Sequence, residues 1–282
     1  TMRYNSSAVF DGYTAGGTGK YKYRMFVDGE NAFCIQPGVP LKTGNTLKKA
    51  SSDTWNALST NQKKAVGLAL LYGYQGNRSH LSGSDDEKWL ATQTLVWEFV
   101  TGCREATGSY QQNSTKAYSL HFGSNYPNSG AKAAYDQIVS LLSEHNTIPS
   151  FMSGGKNDIT KELAYKDGKY SITLTDKNGV LSDYSFSANE DGVSFSVSGN
   201  QLIITATDAP SDSVRITANK VGSSRRGIIT WTDGTFNQGS GKQDVITYAQ
   251  SVSDPMQAFL NLKVSYGSAK IVKTSEDGKV DN

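Results

Sequence analysis

The pattern of apolar and polar positions divides the chain into three stretches. Up to about residue 40 it alternates as strands do, with turn signals at Asp28-Gly29 and Pro37-Gly38. From about 52 to 146 apolar residues recur at helical spacing, and the capping boxes Ser59–Gln62 and Ser84–Glu87 predict two helix starts. From about 168 to 266 short alternating strands return, separated by turns, which is typical of a β-sandwich.

This order predicts an α+β fold in which a helical subdomain is inserted in a β-sandwich or barrel-like region. Length alone allows one large domain or two smaller ones, and the pattern places a helical part at about 52–146 and a β-rich part at about 168–266. Residues 267–282 are charged and resemble a linker followed by the start of another strand, so we expect a second element to begin there.

Composition narrows the possible functions. The 282 residues include 28 Lys and Arg against 26 Asp and Glu, a formal net charge of +2 without a clustered basic face, so we expect no nucleic-acid binding. The chain is only 37% apolar, which favours a β-rich extracellular domain over a helical cytosolic enzyme. No apolar run approaches the roughly 20 residues that span a bilayer, so we expect no membrane insertion.

The cysteines and histidines suggest no metal or other cofactor. Cys34 and Cys103 could form one disulfide or remain free thiols, and no CxxC, HExxH or Cys/His cluster occurs. The histidines His80, His121 and His145 lie in separate segments, and we assign none a catalytic role. Taken alone, Cys34 is interpreted as a small buried hydrophobe, and a papain-like nucleophile is less favoured because no helix begins there.

Three short segments carry candidate chemistry: Phe33-Cys34-Ile35-Gln36, Thr92-Gln93-Thr94-Leu95-Val96-Trp97 and Gln243-Asp244-Val245-Ile246. Gln93 lies on the apolar face of a helix, and a buried amide needs hydrogen-bond partners, so it either braces a neighbouring loop or lines a site. Strand alternation places Gln243 on the same face as Val245. The alternative is an edge glutamine that faces water.

In this order, the three motifs resemble the thioester domain of Gram-positive cell-surface adhesins of the thioester–isopeptide–ester type. The resemblance covers the chain up to about residue 266 and implies that residues 1–266 form one domain. It departs at Lys242, where the family usually has a hydrophobic residue. It implies an internal thioester between Cys34 and Gln243, formed with loss of ammonia. Gln257 and Gln250 remain alternative acyl donors.

A thioester survives only where water is kept away, so we expect Phe33, Trp97 and Tyr248 to provide an aromatic wall. Gln93 is expected to support the site as a hydrogen-bonding brace. The resemblance implies that an amine, expected to be a Lys side chain on a host or surface protein, attacks the Gln243 acyl carbon. The reaction would occur once per molecule, so we expect a covalent adhesin and not a multiple-turnover enzyme.

The resemblance also implies an extracellular protein, anchored to the cell wall through a missing C-terminal region, with a monomeric domain followed by stalk domains. Lys273 matches the lysine that forms an isopeptide bond in such stalks, and its partner would lie beyond Asn282. Two other functions stay open. One is a noncovalent β-rich adhesin that binds through exposed Tyr and Trp, and the other is a cysteine-dependent acyl-transfer enzyme. A Cys34–Cys103 disulfide would exclude the thioester.

Overall fold

The computed structural model of the chain divides it into two compact units. Unit 1 comprises Thr1–Asn146 with Gly222–Pro255, and unit 2 comprises Thr147–Val221 with Met256–Asn282. Strands and helices both occur among the described residues, so the α+β prediction is confirmed. None of the described helices is both long and apolar enough to cross a membrane. The structure describes residues 8–14, 21–27, 29–37, 39, 46–76, 79–114, 129–211, 214–221, 225–232, 244–252 and 256–264.

Unit 1 contains a sheet made of strands from both ends of the chain. Its strands are β1 (Ala8–Thr14), β2 (Tyr21–Val27), β3 (Glu30–Cys34), β4 (Lys48–Lys49), β11 (Arg225–Thr232) and β12 (Val245–Val252). They lie in the order β1-β2-β3-β12-β11-β4, and every neighbouring pair is antiparallel. The central pairing of β3 with β12 therefore joins an early segment of the chain to a late one, as the resemblance requires.

The helices of unit 1 follow β4 in the chain. They are α1 (Asp53–Ala57), α2 (Thr60–Tyr72), α3 (Asp85–Thr101) and α4 (Ser129–Glu144). Both predicted capping boxes are present, from Ser59 to Gln62 at α2 and from Ser84 to Glu87 at α3. Helices α2 and α3 are buried over most of their length, and one apolar core connects them to the sheet. The helical part therefore packs with the six-stranded sheet.

Unit 2 contains a sheet of seven strands: β5 (Thr160–Lys166), β6 (Lys169–Thr175), β7 (Tyr184–Ala188), β8 (Val193–Ser198), β9 (Gln201–Ala206), β10 (Val214–Lys220) and β13 (Gln257–Val264). They lie in the order β7-β10-β13-β5-β6-β9-β8. The β13–β5 pair is parallel, and the other pairs are antiparallel. The predicted β-rich stretch at 168–266 thus contributes to both units, because β11 and β12 complete the sheet of unit 1. Residues 265–282, including Lys273, lie outside the described residues, and their assignment to a stalk stays a prediction.

Candidate functional site

Cys34 ends strand β3 in a buried part of the sheet, where it is 3% exposed. Its Cα partner on β12 is Val245, which pairs in turn with Trp231 on β11. Paired residues of neighbouring strands point to the same face, so the thiol shares a row with Val245 and Trp231, both fully buried. The indole Nε1 of Trp231 donates to Thr247 Oγ1 at 2.7 Å. The sulfur therefore lies beside an apolar surface that is closed to solvent.

Gln93 holds the backbone of Cys34 at this point. Its Oε1 accepts the N–H of Cys34 at 2.7 Å, and its Nε2 donates to the C=O of Cys34 at 2.9 Å. The described pairing of β2 with β3 extends only to Ala32, so the fully buried amide meets Cys34 as a neighbouring strand would. The structure thus places Gln93 on the backbone of Cys34, a contact between helix α3 and the end of β3.

Thr92, the other polar residue of the helical motif, holds the turn that follows α2. Its Oγ1 donates to the C=O of Lys88 and accepts the N–H of Tyr74, both at 2.8 Å. This turn runs so close that a Cβ on Gly73 would lie 2.4 Å from the carbonyl oxygen of Ala69 and 2.5 Å from Thr92 Cγ2. Two neighbouring residues of α3 therefore fix two separate segments: Thr92 holds the turn after α2, and Gln93 holds the end of β3.

The start of β12 is fixed by polar contacts around Asp244, which is buried. The N–H of Ile35 donates to the C=O of Asp244 at 3.2 Å, and Gln36 Oε1 accepts the N–H of Asp244 at 2.7 Å. Ser52, the N-cap of α1, donates its hydroxyl to Asp244 Oδ2 at 2.6 Å. The N–H of Gln36 also donates to Cys34 Sγ at 3.3 Å. The residue that follows the predicted acyl donor is thus held against the loop that follows the thiol.

Phe33 and Trp97, two residues of the predicted aromatic wall, lie in different surroundings. Phe33 adjoins Cys34 in an extended strand, so its side chain points to the opposite face of β3, where its ring stacks on Trp89 at 5.9 Å. Trp97 is 7% exposed and lies one helical turn after Gln93, on the same side of α3. Their role as a barrier to water stays a prediction.

The predicted acyl donor Gln243 lies outside the described residues. The backbone of Tyr248 is in β12, but the side chains of Tyr248 and Gln250 are also outside the described part. Gln257 belongs to β13 of unit 2, where it is exposed and its Nε2 donates to Asn219 Oδ1 at 2.7 Å. The alternative donor Gln257 therefore already has an amide partner in its own unit.

No disulfide joins Cys34 and Cys103 in the structure. Cys103 is buried after the end of α3, where its sulfur accepts a hydrogen bond from Thr101 Oγ1 at 3.2 Å. Among the residues that the structure describes, no group of three or more His, Cys, Asp and Glu side chains is placed to hold a metal ion.

The histidines differ in their surroundings. His80 is exposed, whereas His145 is buried and its Nδ1 shares a hydrogen bond of 2.7 Å with the hydroxyl of Tyr72. The two rings meet edge to face, with centroids 5.7 Å apart. His121 lies outside the described residues. The ring of His145 is therefore engaged in the packing between α2 and the segment after α4.

A buried ionic network at the end of α3 was not predicted from the sequence. Glu98 is fully buried and accepts hydrogen bonds from Arg104 Nε at 2.7 Å, the Tyr135 hydroxyl at 2.8 Å and Gln112 Nε2 at 2.7 Å. Burial raises the pKa of Glu98, and the charge of Arg104 partly opposes this shift. Burial disfavours the charged form of Arg104, but the carboxylate of Glu98 outweighs burial, so the pKa of Arg104 is also raised. The sequence feature that could have indicated this network is one acidic residue within the apolar run 95–100.

Comparisons with known proteins bear on the resemblance that the three motifs predicted. Residues 31–142 match the family model of the thioester domain. The fold is similar to a solved structure described as the thioester domain of the Staphylococcus aureus TIE protein, with 20% identity and a TM-score of 0.55. That similarity covers 92% of this chain and 98% of the other. The resemblance to thioester domains that the motifs predicted is therefore confirmed.

A second solved structure, the Bacillus anthracis TIE protein, matches with 13% identity and a TM-score of 0.40 over 92% of this chain. The chain spans 49% of the length of that protein. A comparison with curated proteins finds no match. The segment that matches the thioester-domain family begins just before Cys34 and includes Gln93, whereas β12 lies beyond it.

Proposed function

We propose that the chain attaches covalently to an amine-bearing ligand through an internal thioester between Cys34 and Gln243. The pairing of Cys34 with Val245, and the contact of Asp244 with Ile35, support this proposal most directly. Gln243 directly precedes Asp244, the residue whose backbone lies against Ile35. Consecutive Cα atoms are only about 3.8 Å apart.

Strand geometry adds a second reason. Alternation in the sequence predicts that Gln243 shares a face with Val245, and the structure pairs Val245 with Cys34. Diagonal neighbours on adjacent antiparallel strands are roughly 7–8 Å apart, which long side chains can bridge. This register supports Gln243 as the acyl donor over Gln250 or Gln257.

The cross-link would form by acyl transfer within the chain. Cys34 Sγ attacks the side-chain carbonyl carbon of Gln243, the C–N bond breaks, and the thiol proton leaves with the nitrogen as ammonia. The apolar row beside Cys34 favours the product, because the thioester is neutral and persists only where water is scarce.

In the attachment step Cys34 would become the leaving group, and Gln243 would again supply the acyl carbon. A neutral amine, which we propose is a Lys side chain on a host or surface protein, attacks the acyl carbon of Gln243. The C–S bond breaks, Cys34 takes the electron pair and a proton, and an amide joins Gln243 to the ligand. Each chain reacts once, so we propose a covalent adhesin domain and not a multiple-turnover enzyme.

The same chemistry fits a protein displayed outside the cell. We propose that the chain acts as a monomeric domain of a cell-wall-anchored adhesin, ahead of stalk domains. An amide does not dissociate when the attached surface is pulled, whereas a noncovalent contact has a finite residence time. This advantage applies where attachment must withstand flow.

The intact mass of the protein under denaturing, non-reducing conditions tests the proposal. We expect a mass about 17 Da below the sequence value, which corresponds to the loss of one ammonia. Treatment with methylamine should then add one methylamine to the chain, and the label should map to Gln243. Cys34→Ala should have the unmodified mass, and the matched variant Cys103→Ala should behave as the parent. A parent mass equal to the sequence value, with Cys34 titrating as a free thiol, would contradict the proposal.

An exposed aromatic pair favours one second candidate, a noncovalent adhesin. Tyr165 on β5 is 64% exposed, and its ring centroid lies 4.9 Å from that of Tyr170 on the paired strand β6. Exposed tyrosines of this kind are common in noncovalent binding surfaces. This function predicts that Cys34→Ala retains ligand binding and that Tyr165→Ser loses it, the opposite of the covalent proposal.

A further inference from the structure

Gln36 connects three segments beside the proposed cross-link. Its backbone N–H donates to Cys34 Sγ at 3.3 Å, and its side-chain Oε1 accepts the N–H of Asp244 at 2.7 Å. Its Nε2 donates to Thr54 Oγ1, on α1, at 2.8 Å. One residue therefore contacts the sulfur, the residue after Gln243 and a helix from a different part of the chain.

The contact with Asp244 replaces a ladder bond of the sheet. Ile35 donates its N–H to the C=O of Asp244, and a regular antiparallel pair would return the bond from Asp244 N–H to the C=O of Ile35. Here the side chain of Gln36 accepts that N–H. The position of Asp244 relative to Cys34 therefore depends on where the Gln36 amide is held.

Helix α1 determines that position. An N–H can only donate, so Asp244 requires the oxygen of the Gln36 amide, which leaves Nε2 for the hydroxyl of Thr54. Ser52, at the N-terminus of the same helix, holds the carboxylate of Asp244. The amide of Gln36 thus has one orientation that satisfies both partners.

We propose that the Gln36 side chain is a positioning residue for the Cys34–Gln243 cross-link, an inference that rests on the proposed function. It acts through Asp244: by holding the backbone N–H next to Gln243, it fixes the distance that the acyl carbon must cover to reach the sulfur. Gln36 is partly exposed, so this role does not depend on filling the core.

The test compares side chains of similar size at position 36. Gln36→Met removes both side-chain hydrogen bonds, whereas Gln36→Glu keeps oxygens that accept from Asp244 N–H and from the Thr54 hydroxyl. Gln36→Ala removes the side chain without adding bulk. The matched control is Gln137→Met, an exposed glutamine on α4 of the same unit. The readouts are the ratio of cross-linked to unmodified chains by intact mass, and the unfolding midpoint by tryptophan fluorescence.

We expect the ratio of cross-linked to unmodified chains to fall about tenfold in Gln36→Met and in Gln36→Ala, because both lose the hydrogen bond to Asp244 N–H that positions the acyl donor. Gln36→Glu should return it to within about threefold of the parent, and Gln137→Met should leave it unchanged. A purely structural role would lower the unfolding midpoint without this rescue pattern.

Two results would overturn the inference: a parental ratio in folded Gln36→Met or Gln36→Ala, or a Gln36→Glu ratio as low as that of Gln36→Met. Neither result affects the proposed function if the parent protein still loses one ammonia. If the parent itself shows no ammonia loss, the proposed function fails first. The parental mass therefore distinguishes the two failures.

Discussion

Removing the amide of Gln93 should destabilise unit 1 through the backbone of Cys34. The change is Gln93→Met, which keeps nearly the same shape but loses both hydrogen-bonding groups. We place it in a Cys34→Ala background, so that a thioester cannot contribute to stability. The backbone N–H and C=O of residue 34 remain in that background, and the experiment therefore isolates the brace from the chemistry.

The structure supplies the magnitude. Gln93 is fully buried, and its two hydrogen bonds of 2.7 and 2.9 Å satisfy a buried N–H and a buried C=O. A buried group left without a partner costs about 1–3 kcal/mol, so two such groups predict a loss of about 2–6 kcal/mol. The matched control is Thr94→Val, also fully buried, whose hydroxyl donates to the C=O of Leu90 at 2.8 Å. That carbonyl lies inside the helix, so the control should cost less than about 1 kcal/mol.

Tryptophan fluorescence during urea unfolding measures this difference for one unit. All four tryptophans of the chain belong to unit 1, so the signal follows that unit. We expect the unfolding free energy of Gln93→Met to fall well below that of Thr94→Val. A Gln93→Met variant no less stable than Thr94→Val would refute the reasoning that the amide replaces a strand neighbour.

Three further changes have definite expected outcomes. Arg104→Met leaves the carboxylate of Glu98 buried without a cation and should cost about 3–5 kcal/mol by the same fluorescence assay. Gly73→Ala forces the turn away from Thr92 and should cost about 1–3 kcal/mol in that assay. Burial opposes the charge of Asp176, but backbone N–H donors outweigh it and lower its pKa, so stability is lost as pH falls below about 4. Asp176→Asn should lessen that acid sensitivity, measured by thermal melts followed by circular dichroism.

Matched variants control the first two of these predictions. Lys132→Met breaks an exposed ion pair with Asp136 and should change stability by less than about 0.5 kcal/mol. Gly154→Ala adds a Cβ with nothing within 4 Å and should be tolerated; because Gly154 lies in unit 2, it is compared with Gly73→Ala by thermal melts followed by circular dichroism. Equal effects of Arg104→Met and Lys132→Met, or of Gly73→Ala and Gly154→Ala, would contradict the reasoning. An Asp176→Asn protein that loses stability in acid as steeply as the parent would do the same.

Local features of the fold could be predicted because their causes are local. The capping boxes at Ser59 and Ser84 involve residues three apart, and both helices begin where these boxes predict. Strand alternation likewise depends on near neighbours. The sequence could not assign β11 and β12 to unit 1 and β13 to unit 2, because strand partners are selected by packing between distant segments.

The candidate site could be predicted in part for the same reason. A glutamine on the apolar face of a helix must find partners, so Gln93 was identifiable without knowing them. Its partner Cys34 is 59 positions away, and the polar contacts of Asp244 with Gln36 and Ser52 are 208 and 192 positions apart. No spacing rule connects such residues. The paired charges of Glu98 and Arg104 escaped prediction because their partners come from a loop and from α4.

Amide side chains complete the hydrogen bonding at the point where β3 leaves the sheet, and this arrangement suits a cross-link. Gln93 reaches the backbone of Cys34 from helix α3, and Gln36, supported by α1, reaches that of Asp244. If the backbone hydrogen bonds between strands continued past these residues, they would satisfy the same groups. The distance between the strands would then be set by backbone geometry alone. Side chains held by helices can set a different spacing. Formation of the proposed thioester should then require both helices to be docked, so that this electrophile would arise only in folded protein.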